Sequence, residues 1–176
     1  MKILEKSAEE VGQTFGYRLS NGLLTIADEE EACKKPYWAY RFALEVKEAD
    51  IKLCEEAACK NPNWAYNFAL DVKGANIKLC EEAACKNPAC AYSFALNIKG
   101  ADIKKCEEGA CKDSGYAYLF ARDVKGADIK RCEETACKDP EWAYWFAKIK
   151  GANVDKCRQV AASNEYWAKR FAEEIG

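Results

Sequence analysis

Residues 49–74 read ADIKLCEEAACKNPNWAYNFALDVKG, and residues 75–100 read ANIKLCEEAACKNPACAYSFALNIKG. Twenty of the 26 positions are identical, the mark of a duplicated structural unit. Outward from this pair the pattern continues through units 101–126 and 127–151, the latter one residue shorter around Lys148-Ile149-Lys150. Residues 152–176 form a diverged sixth unit. Residues 23–48 form a first unit whose opening is diverged but whose close, YWAYRFALEVKE, is plain. Residues 1–22 stand outside the repeat.

Each unit punctuates itself as two short helices, A and B. Asp50 and Asn76 carry side-chain oxygens suited to accept from the free N–H groups of a first helical turn. Helix A is expected from about Ile51 to Lys60. Asn61 then caps helix B, and Pro62 fits its first position, where a missing N–H costs nothing. In the fourth unit Asp113-Ser114 keeps the cap without the proline. Helix B is expected to run to about Lys73, with Gly74 as the left-handed residue that ends it. Only Ala75 separates that glycine from the next cap, so consecutive helices must pack on each other.

At 100° per residue, Trp64, Ala65, Phe68, Ala69 and Val72 share one arc of helix B, and Ile51, Cys54 and Ala58 form the matching stripe on helix A. The Ala-x-x-Phe-Ala skeleton recurs in every unit, as at Ala39-Phe42-Ala43 and Ala168-Phe171-Ala172. Lys52, Glu56 and Lys60 stand at i,i+4 on the outer side of helix A. A helix this short is marginal alone and must draw its stability from stacked neighbours. The expected fold is therefore all-α, an α-solenoid of six two-helix repeats with an N-terminal capping segment. In that segment Leu4, Ala8, Val11 and Phe15 have helical spacing, and the rival is a hairpin turning at Asn21-Gly22. In the last unit Lys169 and Arg158 replace the Tyr and Glu of earlier units, as suits a terminal surface.

The pattern resembles short helix-turn-helix α-repeats of bacteria and viruses, of unassigned function, in which an Ala-(Leu/Tyr)-x-(Tyr/Phe)-Ala core follows a lysine-containing turn. Here that core is Ala65-Tyr66-Asn67-Phe68-Ala69 after Lys60-Asn61-Pro62. The resemblance spans residues 23–176; it implies the fold and carries no catalytic residues.

Composition narrows the chemistry. The apolar fraction is 49% and the charged fraction 32%, the profile of a globular chain. The 27 basic and 29 acidic residues are finely interspersed, without the basic excess that phosphate binding demands, which argues against nucleic acid as a partner. No apolar run approaches the roughly 20 residues of a membrane span. The sequence holds no histidine, which removes Ser-His and Cys-His nucleophile pairs and His-ligated zinc. We expect no catalytic residues, no cofactor and no metal.

Ten of the 11 cysteines occupy two repeat positions. Cys54, Cys80, Cys106, Cys132 and Cys157 share the first; Cys33, Cys59, Cys85, Cys111 and Cys137 share the second. Cys90 stands alone where other units have Trp38, Trp64, Tyr116, Trp142 and Trp167. The two positions are five apart, or 140° around a helix, so they face opposite neighbours. The first unit has Asp28 in place of the first cysteine and the last has Ala162 in place of the second, so cysteine is missing where no neighbouring unit exists. The implied pairs are Cys33–Cys54, Cys59–Cys80, Cys85–Cys106, Cys111–Cys132 and Cys137–Cys157. Bridged, each would contribute on the order of 2–4 kcal/mol; reduced, they serve as small apolar packing residues. Side-by-side helices would offset the partners by about 7.5 Å at 1.5 Å per residue, whereas a bridge needs Cα atoms within about 7 Å, so bridging demands stagger. No C-x2-C pair exists to suggest zinc. The charged start, Met1-Lys2-Ile3-Leu4-Glu5-Lys6, lacks a signal peptide's apolar core. It leads us to expect a cytoplasmic protein, or an extracellular one if the ladder is oxidised.

The doublets Glu55-Glu56, Glu81-Glu82, Glu107-Glu108 and Glu133-Glu134 diverge by 100° on a helix, which favours charge pairing and solvated surface over acid–base catalysis. The tyrosine ladder Tyr40, Tyr66, Tyr92, Tyr118 and Tyr144 reads first as inter-helix packing. The slot after each tyrosine, and after Lys169 in the last unit, varies: Arg41, Asn67, Ser93, Leu119, Trp145, Arg170. Bulky apolar residues at an outward slot mark an interaction surface, so the candidate docking residues are Tyr118, Leu119, Tyr144 and Trp145. The expected function is that of a non-enzymatic repeat binding a protein partner, as a scaffold or inhibitor, of the kind carried by phage and other mobile elements against host defence. The alternative is a disulfide-stapled extracellular structural module.

Overall fold

The computed structural model describes Arg18 and residues 22–176; the spacing of Leu4, Ala8, Val11 and Phe15, and Asn21 of the rival hairpin, lie outside the described residues. The described residues form twelve α-helices and one 3-10 turn, with no strand. Unit one comprises the turn Ile26–Asp28, α1 (Glu29–Ala32) and α2 (Pro36–Glu45). The complete units follow as α3 (Ile51–Ala58) with α4 (Pro62–Asp71), α5 (Ile77–Ala84) with α6 (Pro88–Asn97), and α7 (Ile103–Ala110) with α8 (Ser114–Asp123). Unit five is α9 (Ile129–Ala136) with α10 (Pro140–Phe146), and unit six is α11 (Val154–Ala161) with α12 (Glu165–Glu174). Odd-numbered helices are the A helices and even-numbered ones the B helices.

The caps hold the boundaries. The Asp50 carboxylate accepts from the Leu53 N–H at 3.1 Å, and the Asn61 side chain from the Asn63 N–H at 3.0 Å. In unit one Lys35 occupies the Asn61 position, and α2 has no side-chain cap. Both helices of a unit end about two residues earlier than periodicity predicts: Cys59 is the cap of α3 and Val72 of α4. Val72 adopts an extended backbone and turns its side chain into the core, and Gly74 follows with φ +91°. That left-handed value is strained for any residue with a Cβ, so the glycine is what lets so short a loop reverse the chain.

Each B helix packs against the A helix of the next unit and against the next B helix, giving a continuous stack. One phenylalanine per unit fills it: Phe42, Phe68, Phe94, Phe120, Phe146 and Phe171 are all buried. Buried alanines such as Ala39, Ala65 and Ala91 beside them let the helices approach. The missing residue of unit five shortens α10 to seven residues where the other B helices have ten.

Candidate functional site

Two sets of side chains repeat at every junction between units, and the places where the second set breaks form the candidate site. The first set joins successive A helices. Cys33 lies 3.8 Å from Cys54, Cys59 3.7 Å from Cys80, Cys85 3.6 Å from Cys106, Cys111 3.7 Å from Cys132, and Cys137 3.3 Å from Cys157, sulfur to sulfur. All are free thiols in contact. One member of each pair is a helix cap and the other lies inside the next A helix, so successive A helices are staggered enough to cancel the axial offset.

The carboxylate doublets divide. Glu56, Glu82, Glu108 and Glu134 are exposed, whereas Glu55, Glu81, Glu107 and Glu133 are buried. Each buried carboxylate accepts the backbone N–H of the next unit's cap residue: Glu55 from Asn76, Glu81 from Asp102 at 2.6 Å, Glu107 from Asp128 at 2.6 Å, and Glu133 from Asn153. Glu29 does the same for Asp50. The expectation of a solvated acidic surface therefore holds for only one glutamate of each doublet; the other caps the following unit. The thiols of Cys80, Cys106 and Cys132 donate to these same carboxylates at 3.5, 3.8 and 3.7 Å. Exposed charge also pairs between units, Lys105 with Glu82 and Arg131 with Glu108.

The termini complete this logic. Asp28, where a cysteine would face a preceding unit, is gripped by both guanidinium nitrogens of Arg18 at 2.6 Å. Arg158 stands where a capping glutamate would serve a following unit, and donates instead to the Gly176 carbonyl at 2.7 Å.

The second set lies along the B helices. Tyr40 stacks on Trp64 of the next unit, Tyr92 meets Tyr116, Tyr118 meets Trp142, and Tyr144 meets Trp167. The phenols continue the joint: Tyr40 donates to Asp71 at 2.6 Å, Tyr92 to Asp123 at 2.6 Å, and Tyr66 accepts from Asn97 at 3.0 Å. Burial, reinforced by Asp71, pushes the Tyr40 phenol up to about 12. The tyrosine ladder is thus largely internal joinery.

The ladder is interrupted twice. Cys90 replaces the aromatic partner of Tyr66, leaving a 270 Å³ hollow lined by Asn63, Tyr66, Asn67, Ala89, Cys90 and Ser93; the Cys90 thiol lies 3.0 Å from the Asn63 side-chain oxygen. The second break comes at units four and five. The repeat spacing would place the acceptor for Tyr118 at position 149, but the shortened unit has Ile149 there, preceded by Lys148. A pocket of about 370 Å³ opens between Tyr118, Ala121, Arg122, Ile129, Trp145, Lys148, Ile149 and Lys150. Its lining sets the apolar side chains of Ala121, Ile129 and Ile149 and two aromatic ones beside three exposed cations, with no carboxylate among them. Arg122 lies over the Tyr118 ring at 5.3 Å and is forked onto Asp123 at 2.7 Å. Lys148 contacts Glu174 at 2.8 Å and lies 4.9 Å from the Trp145 ring. Glu174 and then the Tyr144 phenol raise the Lys148 pKa. Lys150 is exposed, with no ion pair among the described residues.

Of the four docking residues expected, Tyr118 and Trp145 line this pocket together. Leu119 is half-buried and lies outside its lining. Tyr144 is fully buried, its phenol held by Glu174 and Lys148 and its ring faced by Arg170 at 4.9 Å, so it offers no surface to a partner. Periodicity missed Arg122, Lys148 and Lys150, because three ordinary surface cations become a rim only when the shortened turn gathers them. It also missed the exposed row Leu44, Leu70 and Leu96, which repeats every 26 residues and gives way to Arg122 in unit four.

Among the described residues no cluster of three or more His, Cys, Asp or Glu has the arrangement of a metal site, and no helix is long and apolar enough to cross a membrane. Comparisons with protein-family models, curated proteins and solved structures give no match. Repeated, stacked helix pairs are what the chain itself shows.

Proposed function

We propose that this is a non-enzymatic binding protein, a scaffold or inhibitor, that receives an acidic segment of a protein partner at the junction of units four and five. The observation that carries this reading is the break in the repeat: one missing residue turns a tyrosine–carboxylate joint into an aromatic pocket rimmed by Arg122, Lys148 and Lys150. A stack of near-identical units needs no such departure for its own stability. The pocket has room for one or two side chains, an apolar residue between the rings and a carboxylate at the rim. Tryptophan and arginine are over-represented among residues that dominate binding energy. The likeness to short bacterial and viral repeats is compatible with an inhibitor from a mobile element.

The test is binding to a partner recovered from the source cell, compared across variants. Trp145→Ala should weaken it on the order of 2–4 kcal/mol. Lys150→Glu, on an exposed side chain, should weaken it further at low salt with an unchanged melting temperature. Lys73→Glu, the same turn position in unit two, should bind as the parent does. Equal loss in Lys73→Glu and Lys150→Glu, or full binding by both pocket variants, would remove the assignment.

A further inference from the structure

We infer that the five inter-unit thiol pairs are an oxidation-responsive ladder, converted by hydroperoxides from packed dithiols into bridges that lock each unit to the next. Five pairs with the same geometry, sulfurs 3.3–3.8 Å apart, separate the residues of each pair by 20 or 21 positions. No bond joins them in this state, yet each needs only a shift of about 1–2 Å to reach bonding distance. The outer member is a helix cap whose side chain can turn without disturbing a helical interior. Packing alone would be served by alanine, which fills the neighbouring small positions of this core, so a sulfur at both sides of every junction calls for a reason beyond volume.

The two members of a pair differ in the way the chemistry requires. The inner thiols Cys54, Cys80, Cys106, Cys132 and Cys157 are fully buried. Cys80, Cys106 and Cys132 also face a capping glutamate. Their partner thiols, and then burial, raise the pKa of Cys80, Cys106, Cys132 and Cys157. Contact with the inner sulfur lowers that of Cys59, Cys85, Cys111 and Cys137 against an opposing burial effect. Cys33 is the exception, raised by burial first. In these four pairs the outer sulfur is therefore the readier of the two to ionise, and in Cys59 and Cys111 it is also only half-buried.

The outer thiolate attacks the peroxide, the O–O bond breaks, and a sulfenic acid forms with release of water or alcohol once the leaving oxygen takes a proton. The inner sulfur attacks that sulfenyl sulfur, the S–O bond breaks, and a second water leaves carrying the inner thiol's proton. Two thiols lose two electrons and two protons, and the peroxide takes up both. Because the resolving thiol is already in contact, the sulfenic acid is intercepted before further oxidation. Cys90 has the Asn63 amide oxygen at 3.0 Å and no sulfur partner, so it stands outside the ladder.

The experiment is a hydrogen peroxide time course on the fully reduced, folded protein, followed by denaturation, alkylation and peptide mapping. Paired cysteines should vanish from the alkylated pool two at a time, Cys59–Cys80 and Cys111–Cys132 first. The product should lack two hydrogens per pair, and Cys90 should be alkylated throughout. Its melting temperature should rise and fall back on reduction. In Cys80→Ala, Cys59 should proceed to sulfinic acid while Cys111–Cys132 still bridges; if that variant does not fold, the parent's order of bridging decides. Sulfinic acid at Cys59 in the parent, a bridge such as Cys54–Cys59, eleven surviving thiols, or an unchanged melting temperature after bridging would overturn the inference.

Discussion

At the scale of a residue, the buried glutamates are the least ordinary feature of this chain. Glu107 is 3% exposed, yet it meets no lysine or arginine squarely; the nearest, Arg131, is 4.0 Å away. Its charge is met by the Asp128 backbone N–H and the Cys132 thiol, that is, by the start of the next A helix, where the helix dipole favours an anion. Glu107→Ala would leave that N–H without its acceptor and should cost about 1–3 kcal/mol in urea unfolding. Glu107→Gln keeps an acceptor oxygen in place and should cost less. Glu108→Ala, on the exposed neighbour, should stay within about 0.5 kcal/mol. Equal effects at 107 and 108 would show that the cap adds nothing.

At the scale of an element, intrinsic helix preference and packing conflict in α7. The position held by Ala57, Ala83 and Thr135 in other units is Gly109 here. A Cβ at Gly109 would lie 2.6 Å from the Cys85 carbonyl oxygen and 2.7 Å from the Ala91 methyl. In unit five the Thr135 hydroxyl donates to the equivalent carbonyl, that of Cys111, at 3.2 Å. At this point the third and fourth units are seated too closely to admit a Cβ without a shift. Gly109→Ala should gain about 1 kcal/mol of helix preference and lose about 1–3 kcal/mol to overpacking. A net fall in melting temperature is expected; a rise would mean that the junction relaxes freely.

At the scale of the whole molecule, the joints are interchangeable. Deleting residues 75–100 removes one complete unit and should bring Cys59 to Cys106, the Glu55 carboxylate to the Asp102 N–H, and the Tyr66 phenol to Asp123. Stability in such a stack is a sum of units and nearest-neighbour interfaces. The shortened protein should thus keep its helical circular dichroism per residue and unfold at a lower temperature, with the pocket at Tyr118 and Trp145 intact. An unfolded product would show that the stack depends on longer-range order than its contacts imply.

What the sequence determined by itself is whatever depends on a few neighbouring residues or on duplication. Caps such as Asn61 act within one turn, glycines such as Gly74 act on their own dihedrals, and the Ala-x-x-Phe-Ala spacing fixes a buried face. The facing of the cysteines was legible too, because the two repeat positions lie about 140° apart around a helix and so address opposite neighbours. Only the tertiary structure separated Glu55 from Glu56: two adjacent carboxylates look alike until the stagger of the next helix lays one backbone N–H on the first of them. It likewise withdrew Tyr144 into the interior under Arg170 and Lys148, and gathered Arg122, Lys148 and Lys150 around Trp145. The reason is the same in each case. Local rules set what one unit is, whereas the offset between units, which no stretch of the chain encodes alone, decides which groups meet.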